Sequence, residues 1–441
     1  MLICVHILLK VMPIFSRVYI KEKWEHAGFQ KYLRNTSWIF FGKIASMAIS
    51  FLATAYIARS LGPTNYGQLS YAISYVGLFG FIATLGIDQI LYRDLIKYPE
   101  KRNEYMGTAL TLRIAASIVT VIICTLSALF LSTKDVSMFL IFLISSTFVF
   151  NAFQLLNYEF QAEAKAKYPT SVSLIVVLIL NILKIVVVFE GNGVIYLAGI
   201  ILLEPILYAI GFIYFRIKVY GSIAYWKFDK EIAVSMLKDS FPLIFASAFV
   251  GIYARIDQVM IKNMIDTASV GLYDSAVRIS ELWFFLPNII VGALFPAIMN
   301  ARKTSEQLYY ARIRKLFFAL MAVAILTALP TALLSKYLIL IIFGPKFLGA
   351  LGVLKIYVWS NIGAALTLLM QHLLIAENHS KIILFTAFFG MAINVGLNIF
   401  LIPAYGMSGA AIASLISYFI PFLSLVLFKD SRIILFKAVK L

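Results

Sequence analysis

The chain has 441 residues, of which 62% are hydrophobic and 13% charged, with a formal net charge of +17 and a mean hydropathy of +0.91. A soluble domain is about half apolar and a quarter charged, so this composition excludes a soluble enzyme and points to an all-α protein that crosses a membrane many times. Cys4 and Cys124 and the four histidines have no ligand spacing, and no phosphate loop, HExxH or GxSxG occurs, so neither a metal, a cofactor nor covalent catalysis is expected.

In chain order, residues 1–35 read as a cytoplasmic tail: Met1–Phe15 is apolar but too short to cross, and Trp24–Arg34 is polar and basic. At about 20 apolar residues per crossing, about twelve spans follow. An N-terminal lobe, 36–216, holds spans at 36–59, 68–92, 107–131, 136–158, 169–189 and 194–215. A basic linker, 217–238, comes next, and its Lys230–Lys238 reads as a short amphipathic helix on the membrane surface. A C-terminal lobe, 239–428, holds spans at 239–262, 270–299, 316–335, 351–376, 382–401 and 407–428, and 429–441 is a second tail. Gly62-Pro63, Pro169, Gly191, Gly344-Pro345 and Pro403 mark span ends. Leu338–Phe343 reads as an extension of the ninth span.

Lys and Arg crowd the tails and alternate loops, while only Arg59, Lys134, Lys262, Lys336 and Lys346 fall on the other side. The positive-inside rule then places both termini in the cytoplasm, with the protein in the cell membrane. The basic residues are scattered and carry no nucleic-acid-reading motif, so no nucleic acid is expected; anionic lipid headgroups are their natural neighbours. The two lobes share a weak repeat. Gly67 and Ala72 recur as Gly271 and Ala276 at an offset of 204, and Asn181, Gly193 and Ala198 recur as Asn394, Gly406 and Ala411 at an offset of 213. Glu163 and Lys167 recur as Glu377 and Lys381 at an offset of 214. A repeat of six spans keeps both halves in one orientation, related by a pseudo-two-fold along the membrane normal, which is a transporter architecture. No channel filter motif is present.

The runs Tyr32-Leu-Arg-Asn-Thr-Ser-Trp38, Ile57-Ala-Arg59, Leu61-Gly-Pro-Thr-Asn-Tyr-Gly67 and Leu85-Gly-Ile-Asp88 followed by Arg93 resemble the opening of polysaccharide flippases. The likeness continues through Arg255-Ile-Asp257-Gln-Val-Met-Ile261, Val270-Gly-Leu-Tyr273, Leu401-Ile-Pro403 and Gly409-Ala-Ala411, and so covers residues 32 to about 428. The chain resembles O-antigen or repeat-unit flippases of the multidrug/oligosaccharidyl-lipid/polysaccharide (MOP) exporter superfamily. The resemblance implies two six-helix lobes around a central cavity. It also implies a polyprenyl-pyrophosphate-linked oligosaccharide as substrate, with one chain as the transport unit. Membrane lipids would surround it, and a glycan polymerase or glycosyltransferase would work beside it. A peptidoglycan-precursor flippase, a multidrug cation antiporter, a non-transporting scaffold and a membrane glycosyltransferase are the rival readings.

An anionic headgroup calls for cations in the membrane interior, where bare charge is otherwise costly. Arg255 is the leading phosphate ligand, because a guanidinium suits bidentate phosphate contact; a salt bridge to another span is the alternative. Asp274, Arg278 and Glu281 fall at i, i+4 and i+7 on one helical face, either as a cavity site or as a pair that packs the lobe. Arg59 reads as a cavity cation or an interface anchor, and Lys43 as a cavity cation or a snorkelling one. Lys184 and Lys355 are expected to snorkel. Asp257 lies two residues from Arg255 and so faces another way. Glu204, followed by Pro205 near the middle of the sixth span, reads as a coupling carboxylate or a hydrogen-bonded structural acid. Arg113 is placed to neutralise lipid phosphate, and Asp88 to pair with Arg93 or cap its helix. Tyr71, Tyr75, Tyr253 and Tyr273 are candidates for stacking on sugar.

Overall fold

The computed structural model describes residues 27–130, 137–377 and 379–439. The first helix, α1 (Ala27–Gly77), starts inside the expected tail and breaks at Gly62, whose φ of 73° suits glycine alone. Pro63 restarts the helix where its missing N–H costs nothing. There follow α2 (Gly80–Thr84), α3 (Asp88–Lys97), α4 (Arg102–Phe130), α5 (Ser137–Asn151), α6 (Leu155–Ala162), α7 (Lys167–Phe189) and α8 (Val194–Tyr220). The second half comprises α9 (Lys230–Met264), α10 (Thr267–Glu281), α11 (Phe285–Arg302), α12 (Glu306–Leu333), α13 (Ser335–Ile342), α14 (Leu351–Tyr357), α15 (Ser360–Ala376), α16 (Ser380–Tyr405) and α17 (Met407–Leu423), closing with α18 (Lys429–Val439).

Among the described residues, ten helices are long and apolar enough to cross a membrane, or eleven if Pro345–Tyr357 and Ser360–Ala376, bent by 45°, form one span. The expected twelve differ because the first two spans run together as α1 across the Gly62 break. Two further expectations are corrected. Lys230–Lys238 is no separate surface helix: Asp229 caps it through the Ile232 amide at 2.9 Å, and α9 then runs on past Pro242 to Met264. Leu338–Phe343 does not prolong the ninth span, because α12 ends at Leu333 and α13 starts afresh at Ser335. The expected tail up to residue 26 and Lys134 lie outside the described residues.

Helices α1, α4, α5, α7 and α8 pack on one another, as do α9, α12, α15, α16 and α17. The apolar cores show how the two groups meet. One core draws on both: Ile57, Tyr71, Ala72, Leu140 and Leu197 from the first half, and Val270, Ala276, Phe343, Tyr357 and Ala410 from the second. These residues sit towards the end opposite the basic loops. Nearer the basic loops the core divides. One cluster, with Leu91, Met106, Leu155, Val172 and Phe212, is built on the first group and takes in Met236 of α9. The other, with Ile298, Ile313, Leu316, Leu369 and Leu373, belongs to the second.

The seam of the shared core is built on small residues. A Cβ on Gly67 would run into the Thr267 carbonyl and lie 3.0 Å from the Gly271 amide. A Cβ on Gly271 would run into the Pro63 carbonyl and lie 3.0 Å from the Gly67 amide. Lipid is as apolar as leucine, so helices in a membrane associate by this kind of close backbone approach rather than by water exclusion. The contact is reciprocal at the 204-residue offset: Pro63 corresponds to Thr267 and Gly67 to Gly271. The pseudo-two-fold therefore passes between the two glycines.

At the basic end, the loop joining the halves is fastened to the first group. Arg216 donates to the Gly221 and Ser222 carbonyls at 2.6 and 2.7 Å, and the Asp229 amide donates to Thr108 Oγ1 at 2.9 Å. Arg93 reaches across to Asp239 of α9 at 2.7 Å while also holding Asp94. These two carboxylates push the Arg93 guanidinium above its usual value.

Candidate functional site

The polar face of α10 lies against the seam. Asp274 is almost wholly buried and collects four donors: Tyr66 at 2.5 Å, Ser70 at 3.0 Å, Gln258 Nε2 at 3.0 Å and Arg278 Nε at 2.8 Å. Gln258 is held in turn by Ser74 Oγ at 2.5 Å. A buried carboxylate needs this degree of saturation to stay in a low-dielectric interior. Arg278 pairs with Asp274 and also reaches a cavity. Its Nε makes both of its bonds, to Asp274 and to Tyr66 at 2.8 Å, and neither Nη has a hydrogen bond among the described residues.

That cavity, of about 370 Å³, lies within the first helix group and is lined by Tyr66, Ser70, Phe148, Lys184 and Leu197, with Arg278 entering from the second group. Lys184 corrects the expectation that it snorkels. Its ammonium is 3.2 Å from Glu204, and its side chain is only 15% exposed. Tyr208 donates to the same carboxylate at 3.4 Å. Glu204 stands in α8, which passes through Pro205 without a break. The cavity thus presents two cations, one held by Asp274 and one by Glu204.

Arg255 is half-buried on α9 and forms no ion pair within 4.0 Å among the described residues, so the alternative of a salt bridge is not realised here. Its guanidinium is within electrostatic range of Glu281, Asp274, Arg278 and Tyr357. Asp257 faces elsewhere, as its spacing requires. It is enclosed in the second group and accepts from Tyr273 at 2.6 Å, from Asn398 at 2.6 Å and from Ser414. Asn394 extends the set through Asn398 at 3.2 Å. No basic side chain bonds Asp257 among the described residues, which makes it unlike Asp274.

The remaining candidates lie elsewhere. Arg59 is exposed, and its Nη1 meets the Ile341 carbonyl of α13 at 3.5 Å, so it bridges the halves at the rim of the shared core rather than lining the cavity. Lys43 is exposed on α1 without a hydrogen bond or ion pair among the described residues. Asp88 pairs with the buried Arg113 instead of Arg93, because Arg93 is already engaged by Asp94 and Asp239. Asp88 also occupies the first turn of α3, where its charge favours the helix start. Lys355 is exposed on α14. Of the four tyrosines, Tyr253 lines a cavity; Tyr71 lies under the Lys262 ammonium, Tyr75 bonds Ser127, and Tyr273 serves Asp257. No group of three His, Cys, Asp or Glu gathers as a metal site among the described residues.

The model of a family described as polysaccharide biosynthesis protein matches residues 32–301. The chain belongs to this family. A probable flippase, AglR, of Haloferax volcanii is 30% identical over 173 residues, which is 37% of this chain and 35% of that relative. Solved structures of other transporters share this fold. An inward-facing multidrug resistance MATE transporter of the MOP superfamily superposes with a TM-score of 0.68 at 14% identity, covering 89% of this chain and 95% of the other. The lipid II flippase MurJ, inward closed, gives 0.67 at 17% identity, covering 90% and 87%. An outward-facing MATE transporter gives 0.60 at 14% identity, covering 93% and 96%. This member of the family therefore has the fold of MOP-superfamily transporters.

Proposed function

We propose that this protein is a flippase that moves polyprenyl-pyrophosphate-linked oligosaccharide repeat units across the cell membrane by alternating access. The carrying observation is Arg278, a guanidinium that reaches from one helix group into a cavity of the other, where Lys184 waits. The two Nη groups of Arg278 suit bidentate contact with a phosphate, and Lys184 adds a point charge on the same anion. Arg255, beside Glu281, supplies further positive field at the seam. Lys43 and Arg59 are no longer first choices, on the positions given above.

The sides follow from charge. With the basic loops and both termini in the cytoplasm, the shared core closes the outer end and the divided cores leave the inner end free to admit a headgroup. The lipid tail stays in the bilayer while the polar headgroup travels through the protein. Opening outward requires the Gly67–Gly271 seam to part and the two inner cores to meet. An anion held equally in both states shifts nothing. Breakage of the seam must therefore alter the grip of Arg278, because its partner Tyr66 stands on α1, and its partner Asp274, itself bonded by Tyr66 and Ser70, stands on α10. Asp257 is the coupling candidate: its oxygen-rich surroundings without a cation suit a proton or a small cation. Glu204 is the second, released when an anion draws Lys184 away. The flipped product would pass to a glycan polymerase or glycosyltransferase.

The family match favours this reading over a peptidoglycan-precursor flippase, whose substrate carries the same pyrophosphate chemistry. The cationic lining disfavours an antiporter for organic cations. The test is movement of a fluorescent polyprenyl-pyrophosphate oligosaccharide in proteoliposomes. Arg278→Ala and Lys184→Met are each expected to lower the initial rate tenfold or more, with unchanged gel-filtration behaviour. Normal rates in both variants would discard the site. No movement of any such lipid, with export of organic cations, would replace the reading with the antiporter.

A further inference from the structure

A second cavity, of about 250 Å³, lies in the second helix group, and its chemistry is unlike that of the first. Its wall includes Tyr253, Phe284, Asn288, Thr367, Gln371 and Tyr418, and no charged residue lines it. The three rings are set on edge to one another: Tyr253 and Tyr418 are 5.4 Å apart at 89°, and Phe284 and Tyr418 are 5.7 Å apart at 62°. Ring faces and edges are thus presented from more than one direction. The polar groups are neutral and under-used. Gln371 has no hydrogen bond among the described residues, and Asn288 spends only Nδ2, on the Phe284 carbonyl at 2.8 Å. Each amide offers both a donor and an acceptor.

The two cavities are neighbours across the α9–α10 charges. Ala254, which lines the second cavity, precedes Arg255 in the chain. Gly77, which lines the first cavity, stands against Arg255, a Cβ added to it lying 3.7 Å from Arg255 Cγ. A molecule with an anionic part at Arg278 would extend past Arg255 towards Tyr418.

Three occupants can be weighed by chemistry. A second phosphate finds no cation in the wall, and an unpaired buried anion is costly. An alkyl tail would displace water from the Gln371 amide and offer it no partner, at a cost of about 1–3 kcal/mol. A neutral pyranose ring satisfies both features: its C–H face lies on an aromatic ring, and its hydroxyls both donate and accept towards the amides. The size suits one ring rather than a chain of them, being near the small end of the roughly 300–1,000 Å³ of ligand pockets. We infer that this cavity is a subsite for an uncharged sugar ring of the lipid-linked headgroup, with Tyr253, Tyr418, Gln371 and Asn288 as its specificity-determining residues. This rests on the flippase reading above.

The experiment separates the two. Binding to the purified full chain in detergent is measured for polyprenyl pyrophosphate without sugar. It is measured again for the same lipid carrying one glucose, galactose or N-acetylglucosamine. The expected result is that at least one sugar tightens binding to the wild type tenfold or more. Gln371→Ala and Tyr253→Leu each remove that advantage while leaving the sugarless lipid unchanged. Arg278→Ala weakens all the lipids together. The inference is overturned if no sugar improves on the bare lipid, or if Gln371→Ala and Tyr253→Leu both keep the advantage. It is equally overturned if those variants weaken the bare lipid by the same factor as the glycosylated one. Failure of the wild type to bind any of these lipids overturns the flippase reading, and this subsite with it.

Discussion

At the end opposite the basic loops the two halves share one core, joined by backbone contact between Gly67 and Gly271 and by a buried network on Asp274. At the basic end the halves are served mainly by separate cores, and α9 links them through Met236, buried in the first group's core, and through the exposed ion pair of Arg93 with Asp239. The difference is one of kind as well as amount. Close glycine packing and saturated buried polar groups are specific and lost all at once, whereas an exposed ion pair is worth little and re-forms easily. Such a molecule is expected to rest closed at the first end, and to move by rocking the halves about it.

Substitutions at the two ends should differ accordingly, and chemical unfolding in detergent measures each. The largest effect is expected for Asp274→Ala, which strands Arg278 with Tyr66, Ser70 and Gln258 around a missing acceptor; breaking a buried pair in this way costs about 3–5 kcal/mol. Gly271→Ala comes next. Its methyl meets the Pro63 backbone, which no side-chain rotation relieves, and overpacking of this kind costs about 1–3 kcal/mol. Asp239→Ala should change stability by less than about 1 kcal/mol, because Asp239 is 40% exposed on its side chain and Arg93, 53% exposed, keeps Asp94 as its partner. A loss for Asp239→Ala as large as that for Gly271→Ala would break the comparison. Sensitivity of Gly271→Ala, but not of Asp239→Ala, to an outward-opening substrate load would sharpen it.

The sequence made the local part of this legible. Asp274 and Arg278 were readable as a pair because four residues bring two side chains to one helical face. Gly67 and Gly271 were readable as equivalents because small residues stand out when a pattern repeats. Tyr66, Ser70 and Gln258 were not readable as their partners, since those groups come from other helices and no period connects them. Lys184 and Glu204 were hidden for the same reason. Each stands in a separate apolar helix and reads alone as a tolerated charge, and only packing of α7 on α8 reveals the pair. Arg59 and Lys43 were legible only by residue type and approximate depth, and neither lines the cavity that Arg278 enters. Lys230–Lys238 reads as a short amphipathic helix of its own, yet the structure carries α9 on through Pro242 to Met264.

The reciprocal glycine contact also shows what one chain can do that two identical ones cannot. Two copies of one six-helix subunit, facing each other across a two-fold axis, would touch through the same residue on each copy, as Gly67 and Gly271 do here. In such a homodimer every charge appears twice. In this chain the residues at the 204-residue offset from Asp274, Arg278 and Glu281 are Ser70, Ser74 and Gly77, all uncharged. Two halves of one polypeptide need not share a sequence. An acid and its cation can then stand on one side of the axis, with Tyr66 and Ser70 bonding the acid from the other. A symmetric pair of subunits would have confronted like charges at the same spot.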